Sequence, residues 1–112
     1  MAYDEDLAQR LRLLTGAEEG VSEKSMFGGL AFLINGNMAV AACGLGGIMV
    51  RVDPADSDAF TSEPGASRMV MRGKEMDGWL RVEEDAVADD AVLETWAGRG
   101  VAYAGSLPPK KK

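Results

Sequence analysis

The sequence predicts a two-layer α+β sandwich, a mainly antiparallel sheet covered by helices in the order α-β-β-β-α-β-β-α. Three observations predict it. Apolar residues recur at helical spacing near both ends of the chain, at Leu7, Leu11 and Leu14 and again from Val92 to Tyr103. Between them, short stretches such as Leu30, Phe32 and Ile34 alternate with Ala31 and Leu33 as strands do. Turn signals, Asn35-Gly36 foremost, join neighbouring stretches as antiparallel pairs.

The elements follow in order. Asp4 to Leu14 reads as an amphipathic helix with acids at its favourable end and Gly16 as its stop. Glu18 to Glu23 reads as a polar connection. A first strand ends at Ile34, and Asn37 to Cys43 returns beside it with Met38, Val40 and Ala42 on one face. After the Gly44-Leu45-Gly46-Gly47 turn, Ile48, Val50 and Val52 share a face while Met49 and Arg51 point the other way.

Asp53-Pro54 marks a helix start, since Asp accepts backbone N–H bonds at the N-cap and Pro fits the first helical position. That short helix ends before Pro64-Gly65. Arg68 to Arg72 and Trp79 to Val82 form a second hairpin across a loop containing Gly73 and Gly78. The last helix lies within Ala86 to Ala104, starting near Asp89, with Gly105 as its terminator.

At 112 residues the chain is sized for one core, taken as residues 1–105 with a flexible tail over 106–112. The hydrophobic share of 46% and charged share of 27% are those of an ordered globular protein. A formal charge of −6 repels phosphate and anionic lipid, so direct nucleic-acid and membrane binding are not expected, and the Lys110-Lys111-Lys112 run reads as solvated. Met1 to Arg10 lacks the pattern of a secretory leader, and the protein is expected to be cytoplasmic.

Cys43 is the sole cysteine and histidine is absent. An internal disulfide, a thiolate-rich metal site and His-based nucleophile activation are thereby excluded. No cofactor, no metal and no enzymatic activity are expected.

Met26-Phe27-Gly28-Gly29, the strand to Ile34, Asn35-Gly36, Met38 and Val50-Arg51-Val52-Asp53 together resemble the N-terminal domain of the TfoX/Sxy family. Phe60, Gly65, Met76, Gly78-Trp79 and Trp96 extend that resemblance over nearly the whole chain. It implies a two-layer arrangement like that of the secretion-chaperone class. It also implies a regulatory role in natural competence, through assistance to the cyclic-AMP receptor protein at promoters. Full-length members carry a further helical C-terminal domain; this sequence stops before one, so a stand-alone module is expected.

The glycines look structural. Gly28-Gly29 reads as a bend or a close approach, with Met26, Phe27, Asn35, Gly36 and Trp96 completing the structural motif. Gly44 to Gly47 lacks the Lys-Ser/Thr and helix of a phosphate loop. Cys43 reads as a small packed residue.

The candidate binding residues are instead Arg51, Arg81, Trp79, Arg72 and Arg68, cations and an indole on or beside strands that otherwise favour apolar side chains. Guanidinium groups fork onto carboxylates and stack on indole, so a face carrying Arg51, Arg81, Met49 and Trp79 suits an anionic peptide or carboxylate ligand. The expectation is a module acting by protein–protein contact, with a transcription regulator as candidate partner and a homodimer left open. A small-anion-binding or enzymatic domain using the same arginines is the alternative.

Overall fold

The computed structural model describes residues 5–16, 20–26, 29–43, 47–71 and 73–108. The chain runs α1 (Glu5–Thr15), β1 (Val21–Met26), β2 (Gly29–Ile34), β3 (Asn37–Ala42) and β4 (Ile48–Arg51). A 3-10 turn (Pro54–Asp56) then leads into α2 (Ser57–Thr61), β5 (Ala66–Met71), β6 (Lys74–Val82), α3 (Glu84–Val87) and α4 (Asp90–Ser106). The six strands form one antiparallel sheet in the order β1-β2-β3-β4-β6-β5. The architecture is α+β in two layers, as expected.

Local chemistry accounts for the joints. Asn35 and Gly36 take φ of 52° and 84°, the two positive values that a type I′ hairpin needs and that Asn-Gly tolerates. Asp53 accepts a bond from the Ala55 amide at 2.9 Å, with Pro54 at the first position of the turn. Asp89 does the same for α4 through the Ala91 amide at 2.8 Å.

The layer between helices and sheet is the main core. Leu30, Phe32 and Ile34 of β2, Val40 and Ala42 of β3, Ile48 and Val50 of β4, and Leu80 and Val82 of β6 meet helix residues there. From the helices come Leu7 and Leu11 of α1, Val87 of α3, and Leu93, Trp96 and Ala97 of α4. Each fully buried aliphatic side chain of this size contributes about 1.5–3 kcal/mol. Arg10 fastens α1 across this layer, donating to the Asp90 carboxylate at 2.6 Å and to the Val87 carbonyl at 2.9 Å.

Four features differ from the sequence expectation. Val21–Met26 is an edge strand, not a connection, pairing from Val21 with Ile34 to Met26 with Gly29. Ser22, Glu23, Lys24 and Ser25 are all exposed, so no alternation of burial marks this strand.

Met38 leaves the face of Val40 and Ala42. Phe32 pairs with Val40 but Leu33 pairs with Met38, so Ala39 is an extra residue in β3 and the count of two slips. Met38 consequently joins the cluster on the opposite side of the sheet.

Gly78 lies inside β6 rather than in a loop. Its φ of 83° accommodates an irregular register, its amide donates to Ser57 Oγ at 2.7 Å, and its carbonyl accepts from the Val52 amide at 2.8 Å. The buried Ser57 hydroxyl is thus satisfied, and the start of α2 is tied to β6.

Finally, α4 passes Gly105 and continues to Ser106, after a separate short α3. Beyond it, Asn37 Nδ2 donates to the Pro108 carbonyl at 2.9 Å. That bond holds residue 108 beside the β2–β3 hairpin.

Candidate functional site

The side of the sheet away from the helices carries its own apolar cluster. Ala31, Met38, Ala41, Cys43 and Met49 are buried there, with Leu33, Met69 and Trp79 packed around them. Every member comes from a strand or, for Cys43, from the residue following one; no helix contributes. The five buried members are 0–7% exposed in the single chain, so this cluster presents the half-buried Leu33, Met69 and Trp79 outward.

Strand register places cations around this cluster. Lys24 stands opposite Ala31, Arg81 opposite Met49, and Arg51 opposite Trp79. The strand acids Glu23 and Glu75 take the other side of the alternation, opposite Phe32 and Val70. Lys24, Arg51 and Arg81 thus stand on the outer face and Glu23 and Glu75 on the other, in a chain that as a whole carries −6.

Arg51 is held differently from most other arginines. Arg10 pairs with Asp90, Arg12 with Glu23, Arg68 with Asp58 and Arg99 with Glu63. The half-buried Arg51 guanidinium instead lies 5.0 Å from the centre of the Trp79 ring and 5.7 Å from that of Tyr103. These cation–π contacts fix its position without occupying its N–H groups, and no described residue accepts a hydrogen bond from them.

Arg81 lies half-buried on the same face, near the Cys43 thiol. Burial pushes that thiol's pKa up, and the Arg81 charge pulls it partly back. Cys43 is 7% exposed and is held as a neutral packed thiol, not as a nucleophile.

The structure therefore brings Arg51, Arg81 and Trp79 together. It does not bring Arg68, which pairs with Leu80 in the ladder, lies on the helix side of the sheet and bonds to Asp58. Arg72 lies outside the described residues, as do Phe27, Gly28 and the Met26 side chain. Gly29 occupies a close approach: a Cβ there would stand 1.9 Å from the Ala42 carbonyl oxygen. Trp96 is buried in the main core.

Sequence reasoning missed Tyr103 and the cleft it lines. That cleft, of about 340 Å³, is bounded by Asp53, Asp56, Phe60, Arg99 and Tyr103. Arg99 lies over the rings of Phe60 at 4.3 Å and Trp96 at 4.6 Å, and its bridge to Glu63 joins α4 to the end of α2. The available signal was the spacing of Trp96, Arg99 and Tyr103, which are three and seven residues apart and so share a helix stripe. Among the described residues, no group of three or more cysteines and acids is arranged to hold a metal ion. None of their helices is long and apolar enough to cross a membrane.

The described residues thus form a two-layer α+β domain whose outer sheet face carries an apolar cluster with Lys24, Arg51 and Arg81 around it. The chain belongs to the TfoX N-terminal domain family, whose model matches residues 12–104. A search of curated proteins gives no match.

Proposed function

We propose that this domain is a non-enzymatic contact module that works in a regulatory assembly by receiving a partner protein on the outer face of its sheet. The observation that carries the reading is the strand-only apolar cluster, with Leu33, Met69 and Trp79 at its margin and Lys24, Arg51 and Arg81 around it. Membership of the TfoX N-terminal domain family supports the regulatory context, with competence-related transcription as its most specific form.

The partner is a different protein rather than a second copy on this face. Stacking two copies outer face to outer face sets two cationic surfaces against each other, on bodies that each carry −6.

Cross-linking mass spectrometry on the protein captured with its native partner tests this. Links from Lys24, and from Lys74 opposite Met71 at the β5–β6 hairpin, together with partner loss in Leu33→Asp and Trp79→Ala variants of intact fold, are expected. Links confined to the helices, or full partner retention by both variants, would refute the reading.

A further inference from the structure

We propose that Arg51 is the specificity residue of this face and receives the carboxylate of an Asp or Glu side chain in an acidic peptide segment of the partner. The inference rests on the contact-module reading and names what the contact recognises.

The geometry supports it in three respects. Arg51 is a half-buried cation positioned by two aromatic rings, at 5.0 Å and 5.7 Å, so little side-chain freedom remains to be lost when a ligand arrives. Among the described residues no carboxylate accepts from its N–H groups, in contrast to those of Arg10, Arg12, Arg68 and Arg99. A guanidinium offers five donors in a planar fork that matches a carboxylate, which a point charge does not.

The surroundings select a side chain on an extended apolar segment over a fully hydrated ion. Arg51 borders the half-buried Trp79, and Leu33 and Met69 are half-buried in the same cluster, so neighbouring apolar residues of a peptide have these side chains to cover. Lys24 and Arg81 lie on the same face as Arg51, while the strand acids Glu23 and Glu75 lie on the other, which gives local complementarity to an acidic segment. The body charge of −6 opposes long-range attraction of that segment. Recognition is therefore short-ranged, through forked hydrogen bonds after contact, with little acceleration of encounter at low salt.

The test uses the full chain and a set of short synthetic peptides bearing one Glu or Asp among apolar residues, each with a Gln or Asn twin. Binding is read by fluorescence anisotropy and by the indole resonance of Trp79. The wild type is expected to prefer the acid over its amide twin by about tenfold or more, the usual scale for hydrogen bonds to a charged group. Arg51→Ala is expected to abolish the preference, and Arg51→Lys to keep only part of it.

Equal binding of the twins, no binding by any acidic peptide, or an unchanged preference in folded Arg51→Ala would overturn the proposal. Binding of succinate or inorganic phosphate at this indole without any peptide binding would overturn the peptide source. Partner loss in Leu33→Asp and Trp79→Ala but not in Arg51→Ala would sink the role of Arg51 and leave the contact face standing. Retention in all three would remove both.

Discussion

Gly100 of α4 lies against the bulged Ala39 of β3 so closely that a Cβ built on it would stand 2.3 Å from the Ala39 carbonyl oxygen. The same position is 3.1 Å from Val50 Cγ1, so the helix rests on the sheet through bare backbone. Gly100→Ala must push α4 outward, at a cost of about 1–3 kcal/mol for overpacking that outweighs the helix propensity gained. Gly98, two residues earlier and exposed on the opposite side of the helix, has nothing within 4 Å of its own Cβ position, and Gly98→Ala is expected to stabilise by about 0.5–1 kcal/mol. Urea denaturation of the two variants should move in opposite directions.

Those two glycines also show what can be read from residues alone. Both weaken a helix by propensity, and nothing in the spacing distinguishes the one that a carbonyl requires from the one that solvent tolerates. Asn35-Gly36, Asp53-Pro54 and Asp89 were legible because their chemistry acts within four residues. The face shared by Met49, Arg51, Trp79 and Arg81 was legible because alternation alone fixes it within β4 and β6. Met38 was not, because a bulge at Ala39 depends on the partner strand. Arg68 lies on the other side of the sheet because it stands opposite Leu80, a register that the partner strand sets. Tyr103 joins Arg51 across more than fifty positions of sequence, a pairing that only the packing of α4 over the sheet creates.

Trp96 anchors α2 to α4. It is 1% exposed, meets Phe60 edge-on with ring centres 5.8 Å apart, and lies under the Arg99 guanidinium. Trp96→Ala should cost about 3–5 kcal/mol, a large fraction of the roughly 5–15 kcal/mol by which such a domain is stable. Glu63→Gln, which breaks only the half-exposed bridge to Arg99, should cost about 1 kcal/mol or less. Thermal melts followed by circular dichroism would rank the pair.

Asn37 is buried, and its amide is satisfied by the Pro108 carbonyl. Truncation after Leu107 strands a buried donor and is expected to cost about 1–3 kcal/mol. Asn37→Ala should cost about 1 kcal/mol in the full chain and much less in the truncated one, since the bond is already gone. Equal costs in both backgrounds would show that the bond does not couple the hairpin to residue 108.

Glu23 links β1 to α1. Its carboxylate accepts from Arg12 Nε at 2.7 Å, and this hydrogen bond, with the Arg12 charge, holds its pKa below the ordinary 4.5 despite slight desolvation. The folded state then binds the proton less readily than the unfolded chain. The stabilisation is present above about pH 4.5 and is lost as pH falls through the lower folded value. Carbon-13 titration should place the Glu23 midpoint below 4.5, and Arg12→Ala should return it toward that value. The stability gap between wild type and Glu23→Gln should close over the same acid range.

Cys43 titrates with the opposite sign. Burial raises its pKa above the ordinary 9.0, with Arg81 offsetting part of the effect, so the folded state keeps a proton that the unfolded chain releases. Its contribution is complete below pH 9.0 and declines as pH rises through the folded value. At pH 8, iodoacetamide should modify the native protein at least tenfold more slowly than the urea-unfolded chain, because both exposure and thiolate fraction are reduced. Arg81→Gln should slow the native reaction further by removing the charge that favours the thiolate. Faster modification in that variant, with the fold unchanged, would show that Arg81 shields the thiol sterically more than it activates it.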